Sequence, residues 1–184
     1  MAVGHSSYSK TAITLHWLIA VLVLGNIVGA VYAEGLPDAE RGAIMGIHKS
    51  VGITVLALTL WRLVLRLKAG FLVLPAHMKG WEIVLARATH IGFYVLLLAI
   101  PLSGWAFAAS PERPLIWFDL VPLPDSPLGK AGRGVFHAVH GPAAFLALVL
   151  VILHILGALK HHFLDRDDVL ARMLPFFRKN RADA

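Results

Sequence analysis

Four long apolar blocks set the pattern of the chain, near Ile13–Ala33, Ala43–Leu65, Ile83–Ala108 and His137–Leu159. Each is long enough to cross a bilayer as a helix, which takes about 20 residues. All eleven Asp and Glu residues fall outside these blocks, in connections or tails. The pattern predicts an all-α integral membrane protein with one domain over residues 1–184. Short polar connections between the first three spans make neighbours antiparallel, as in an up-down-up-down four-helix bundle. The first connection, Glu34–Gly42, holds Pro37, Asp38, Glu40 and Arg41, and the second, Arg66–Glu82, is basic. The third, Ser110–Phe136, is long and proline-rich, with "PLIWFDLVPLP" in its middle. Trp117 and Phe118 there suit the aromatic belt of a membrane surface. This segment is expected to lie on the interface, with a partner or substrate site as the alternative. Beyond the fourth span, "DRDD" and "RKNR" are expected to form a solvated tail.

Composition agrees: 58% of residues are hydrophobic and 15% charged, with a mean hydropathy of +0.71. A soluble domain carries about 25% charged residues. "VYA" before Glu34 loosely fits a signal-peptide cleavage site, but the first block exceeds the roughly 7–15 residues of an h-region and carries His16 and Asn26. It is read as a span. With the N-terminus inside, twelve Lys and Arg fall on the cytoplasmic side and five on the other, which puts both termini in the cytoplasm. This asymmetry accounts for the net charge of +6 without nucleic acid. The absence of cysteine excludes disulfides, iron–sulfur clusters and covalent c-type haem.

The ten histidines carry the chemistry. His16 and His90 lie near the cytoplasmic starts of spans one and three, and His48 near the opposite start of span two. His140 and His154 bracket "HGPAAFLALVLVILH" in span four. Fourteen residues of helix turn 40° short of four full turns, so these two share a face, roughly 21 Å apart along the axis. Ala144, Ala147 and Val151 lie between them on that face and leave room for something flat. His137 stands about 100° off the stripe, while His48 has Gly52 one turn further in.

Polar groups inside a bilayer are costly and face a cavity, a partner or a bound ion. A lone histidine is commonly satisfied by a carbonyl or a neighbouring helix. Two layers of imidazoles, each drawn from different helices, call for more than that. Metal-transport and proton relays recruit Asp or Glu, which the spans lack. A prosthetic group needing two neutral nitrogens fits better: haem with two axial histidines, one group per leaflet. Such a centre has no open position and moves electrons. Depth alone leaves the inner pair open among His16, His90 and His154.

The chain resembles the bacterial cytochrome b561 family, small four-span dihaem proteins of the inner membrane. The matching pieces are "LHW" at 15–17, "IHKSVGI" at 47–53, "THIGFYVLLLAIPLSG" at 89–104, the His140–His154 spacing, and "KHHF" followed by "LARMLP". The resemblance runs from Tyr8 to Pro175. It implies one haem b between His16 and His154 on the cytoplasmic side and another between His48 and His140 on the periplasmic side. His90 is then a spare imidazole for a structural, propionate or quinone contact. Arg62, fourteen residues beyond His48 on the same stripe, is a candidate propionate partner, with Lys49 and Lys10 as less specific ones. Snorkelling to the headgroups is the alternative for Arg62. His161 lies within about 20° of the His154 face and could mark a quinone site; otherwise it is a polar helix end beside Lys160 and His162. His5 and His77 are given no role.

The leading functional expectation is a diheme b-type cytochrome exchanging electrons with the quinone pool. Family members are linked to superoxide oxidation coupled to ubiquinone reduction. The outer connections hold five basic residues against six acids, so an anion funnel would need local clustering of Lys49, Lys130 and Arg133. The alternatives are an electron-relaying anchor subunit for a dehydrogenase or hydrogenase, and a non-redox transporter or sensor using histidine for metal or protons.

Overall fold

The computed structural model describes residues 8–70, 78–174 and 176. His5, His77 and the "RKNR" stretch lie outside these residues. Four long helices dominate: α1 (Lys10–Ala33), α2 (Asp38–Ala69), α3 (Gly80–Ala108) and α4 (Lys130–Lys160). All four are long and apolar enough to cross a membrane. Each exceeds its apolar block because polar residues at the ends continue the backbone hydrogen bonding beyond the hydrocarbon.

Local signals set these ends. The Ser9 side chain accepts from the Ala12 N–H and caps α1. Pro37 precedes α2, Asp38 and Glu40 occupy its first turn, and Arg66 and Lys68 its last, each sign complementing the helix dipole. Gly70, at φ 70°, ends it in a conformation that side chains resist. The Glu82 carboxylate accepts from the Lys79 N–H at 2.8 Å and opens α3. A π-helical turn, His161–Asp165, follows α4, is closed by left-handed Arg166, and leads to a short 3₁₀ turn, Leu170–Arg172.

Sequence neighbours pack together: α1 on α2, α2 on α3 and α3 on α4. The backbone of α4 scarcely approaches that of α1 or α2. Two glycines bring α3 close to α4. A Cβ on Gly92 would sit 3.0 Å from Leu150 Cδ1, and one on Gly104 would sit 3.1 Å from His140 Cε1. Val21, Val28, Val84, Phe145 and many similar residues are exposed, as lipid-facing positions require.

The third connection is more ordered than a surface loop. Ile116–Trp117 (β1) and Val121–Pro122 (β2) pair antiparallel, with Ile116 opposite Pro122 and Trp117 opposite Val121. Phe118 and Asp119 turn the hairpin at φ 48° and 57°. The Trp117 indole N–H donates to Thr54 Oγ1 at 3.1 Å, and the Phe118 N–H to Ser50 Oγ at 2.9 Å. Trp117 is thus anchored on α2 by its indole N–H. The last residues of this connection, from Lys130, belong to α4.

The hairpin marks the loop end of the bundle; the opposite end, where α1 starts and α4 finishes, is the terminal end. The "DRDD" acids there are engaged where a solvated tail was expected. Lys160 Nζ bridges Glu82 Oε1 at 2.6 Å and Asp165 Oδ2 at 2.8 Å, and Arg172 pairs with Asp168. The Trp17 indole N–H donates to the Met173 carbonyl, folding the segment after α4 back over α1.

Candidate functional site

At the loop end, His48 of α2 faces His140 of α4 with ring centroids 6.3 Å apart and ring planes 70° to one another. Each ring has one nitrogen held. His48 Nδ1 lies 3.3 Å from the Asn26 carbonyl on α1, so it donates and carries the ring proton. His140 Nδ1 lies 2.9 Å from Ser103 Oγ on α3. In both cases Nε2 keeps its lone pair, the arrangement that orients a metal-ligating imidazole. Phe107 packs edge-on against His140 at 5.4 Å and against His137 at 5.0 Å, so the off-stripe histidine finds an aromatic neighbour instead of the facing pair.

At the terminal end, His16 of α1 faces His154 of α4 at 6.1 Å and 67°. His90 of α3 comes within 5.6 Å of His154, Phe93 within 5.4 Å, and Trp17 within 5.3 Å of His16. Three imidazoles therefore meet here, drawn from three helices. Arg62 enters the same cluster: Nη1 donates to the Ala12 carbonyl, and its charge bears on His16, His90 and His154. His161 joins none of these ring contacts. Its Nδ1 is 2.7 Å from Asp167 Oδ2 and 3.1 Å from Asp165 Oδ2.

The donor set suits a flat metal-centred group. Two metal–imidazole bonds of about 2 Å in line, each with roughly 1.1 Å from nitrogen to ring centre, would give about 6.2 Å between centroids. The His48–His140 and His16–His154 separations match this span, and the His90–His154 separation falls short of it. Both matching pairs reach between helices whose backbones scarcely meet. A cleft bordered by Asn26, His48, Lys49, Gly52, Gly104 and His140 lies at the loop end. Ala144 and Ala147 also border it, as the small-residue stripe foretold. A Cβ on Gly52 would meet nothing within 4 Å. Thr59 lies eleven residues beyond His48 on the α2 stripe. It is 1% exposed, and its hydroxyl has no hydrogen-bond partner among the described residues.

Reading the histidines by depth and face brought out the imidazoles but missed their supports. Ser103, Gly104, Phe93 and Phe107 sit in an apolar stretch of α3 where nothing marks them except Pro101 and the small pair "SG". Their register against α4 became visible only with the helices packed.

Comparison with known proteins agrees with this architecture. Residues 7–176 match the family described as prokaryotic cytochrome b561. Cytochrome b561 homolog 2 of Escherichia coli K12 is 32% identical, over 91% of this chain and 90% of its own length. The probable superoxide oxidase CybB of Yersinia pestis is 27% identical over 93% and 97%. Cytochrome b562 of Cereibacter sphaeroides is 29% identical over 91% and 94%. With four membrane-length helices and a match across nearly its whole length, the chain belongs to the prokaryotic cytochrome b561 family, haem b-binding electron-transfer proteins of the bacterial membrane.

Proposed function

We propose that this protein passes electrons across the bilayer between two haems b and exchanges them with ubiquinone. In this reading His48 and His140 would hold one haem at the loop end, and His16 and His154 the other at the terminal end. The observation that carries it is the pair of imidazole separations, 6.3 and 6.1 Å, between helices whose backbones scarcely meet. Bound there, haem b supplies a one-electron carrier with both axial positions taken. The fourteen-residue rise of α4 sets the two sites roughly 20 Å apart, and the flat groups themselves narrow the gap between their edges.

The surrounding residues take supporting roles. Arg62 neutralises propionate charge at the terminal end, and Lys49, bordering the cleft beside His48, does so at the loop end. His90, too close to His154 for an in-line partner, contacts a propionate or the quinone. His161 serves the quinone: with Nδ1 held by Asp167, its Nε2 is left to bond a quinone oxygen, and the His161–Asp167 pair delivers a proton as electrons arrive. The excess of Lys and Arg at the terminal end supports an orientation with that end on the cytoplasmic side of a bacterial inner membrane.

Superoxide is the proposed donor at the loop end, in keeping with the superoxide oxidase among the relatives. Two superoxide anions give up two electrons and leave as two dioxygen molecules. One ubiquinone takes the two electrons with two protons from the cytoplasmic side and leaves as quinol. Purified protein exposed to an enzymatic superoxide source should show reduced-haem absorption that decays when ubiquinone is added. Protein that stays oxidised under superoxide, yet is reducible by dithionite, would remove superoxide as donor. The exposed apolar hairpin tip, Phe118 and Leu120 (75% exposed), favours a second reading, relay from a partner dehydrogenase docked there. Co-purification of such a dehydrogenase with the cytochrome would support it.

A further inference from the structure

We infer that Ser103 is a positioning residue that fixes the tautomer of His140 and lowers the reduction potential of the loop-end haem relative to the terminal-end one. The inference rests on the proposed ligation by His140 and names what tunes that ligand.

Ser103 is buried on α3, and its hydroxyl has one proton to give. That proton goes to the Ile100 carbonyl, 2.7 Å away. Towards His140 Nδ1, at 2.9 Å, the oxygen can therefore only accept. The Ile100 carbonyl, also within reach of the ring, is a second acceptor and cannot donate either. A ring nitrogen facing two acceptors holds the proton. His140 is thus the Nδ1–H tautomer, and Nε2 presents its lone pair to the cleft.

The ring is also held in place. Gly104, next to Ser103, lets His140 lie against the α3 backbone where a Cβ would stand 3.1 Å from Cε1, while Phe107 covers the ring edge-on. A ring flip that exchanged Nδ1 and Cδ2 would break the Ser103 contact and present a carbon to it.

An acceptor drawing on Nδ1–H makes Nε2 more basic, and a more basic axial nitrogen favours the oxidised, more positive iron. The terminal end has the opposite bias, because Arg62 Nη1 donates to the Ala12 carbonyl, one helical turn before His16, and a cation there favours the added electron. The two ends are built unequal. An electron entering at the loop end moves downhill towards the terminal end.

The test is a redox titration of purified holoprotein, wild type against Ser103→Ala and Ser103→Thr, with haem content and low-spin spectra recorded alongside. Each is repeated in a His16→Ala background, which leaves the loop-end haem alone to titrate. Ser103→Ala is expected to raise the loop-end midpoint by about tenfold in the reduced-to-oxidised ratio, some 59 mV for one electron, while the terminal-end midpoint stays. Ser103→Thr, which keeps the hydroxyl, is expected to titrate as wild type. If Ser103→Ala does not assemble, Ser103→Cys, a weaker acceptor, should give a smaller rise in the same direction. An unchanged loop-end midpoint in a fully haem-loaded alanine or cysteine variant overturns the inference, as does an equal shift of both haems. Wild-type protein without a haem dependent on His140 would instead overturn the ligation itself.

Discussion

At the scale of single residues, the site depends on where atoms are withheld as much as on where they are supplied. Gly104 permits the close seating of His140, and a methyl group there would displace the ring by several tenths of an ångström or push α3 away from α4. Gly104→Ala should therefore cost about 1–3 kcal/mol in overpacking and deplete the loop-end haem first, measured as haem per protein with the terminal-end signal retained. Thr59 works the other way. Its buried hydroxyl lacks a partner among the described residues, and such a group carries a desolvation cost of about 1–3 kcal/mol. Thr59→Val, nearly isosteric, is expected to raise the thermal unfolding temperature in detergent without changing haem content. A fall in stability with loss of haem would show that the hydroxyl serves the bound group. The imidazoles were legible from the chain because a bilayer makes every ionisable residue conspicuous. Ser103 and Thr59 were not, since hydroxyls are common in membrane helices and are usually satisfied by their own backbone.

Among the elements, the hairpin and the segment after α4 depart most from a reading of polar and apolar blocks. The hairpin turns on Phe118 and Asp119 at positive φ, where neither glycine nor asparagine advertises a turn, and its anchors are two hydroxyls on a different helix. "KAGRGVF" carries two glycines and reads as loop, yet it forms the first turns of α4. The acids after α4 find Lys160, His161 and Arg172, partners set by a π-helical turn that sequence periodicity does not reveal. Trp117→Phe removes the indole donor to Thr54 while keeping the ring. It should lower local stability by about 1 kcal/mol and speed amide hydrogen exchange over residues 115–123, with the helices unaffected. Equal exchange in both proteins would mean that the anchor is not Trp117.

For the molecule as a whole, four apolar blocks with short connections were enough to give the bundle and the order of its neighbours. The cleft that Ala144 and Ala147 border at the loop end needed packed helices to be seen. The excess of cations at the terminal end supports the proposed orientation, with that end on the cytoplasmic side. A reporter fused after the C-terminus should be active only in the cytoplasm, and one inserted at the hairpin tip only outside it; the reverse pattern would invert the proposed path from donor to quinone.

The pairing of imidazoles is tested most directly by counting haem in purified wild type and in His16→Ala, His154→Ala, His48→Ala and His140→Ala, by reduced-minus-oxidised spectra. Two low-spin haems b per chain are expected in the wild type and one in each variant. The 48 and 140 variants should lose the same spectral component, and the 16 and 154 variants the other. A haem-free wild type, or a terminal-end haem lost in His90→Ala but kept in His16→Ala, would contradict the account.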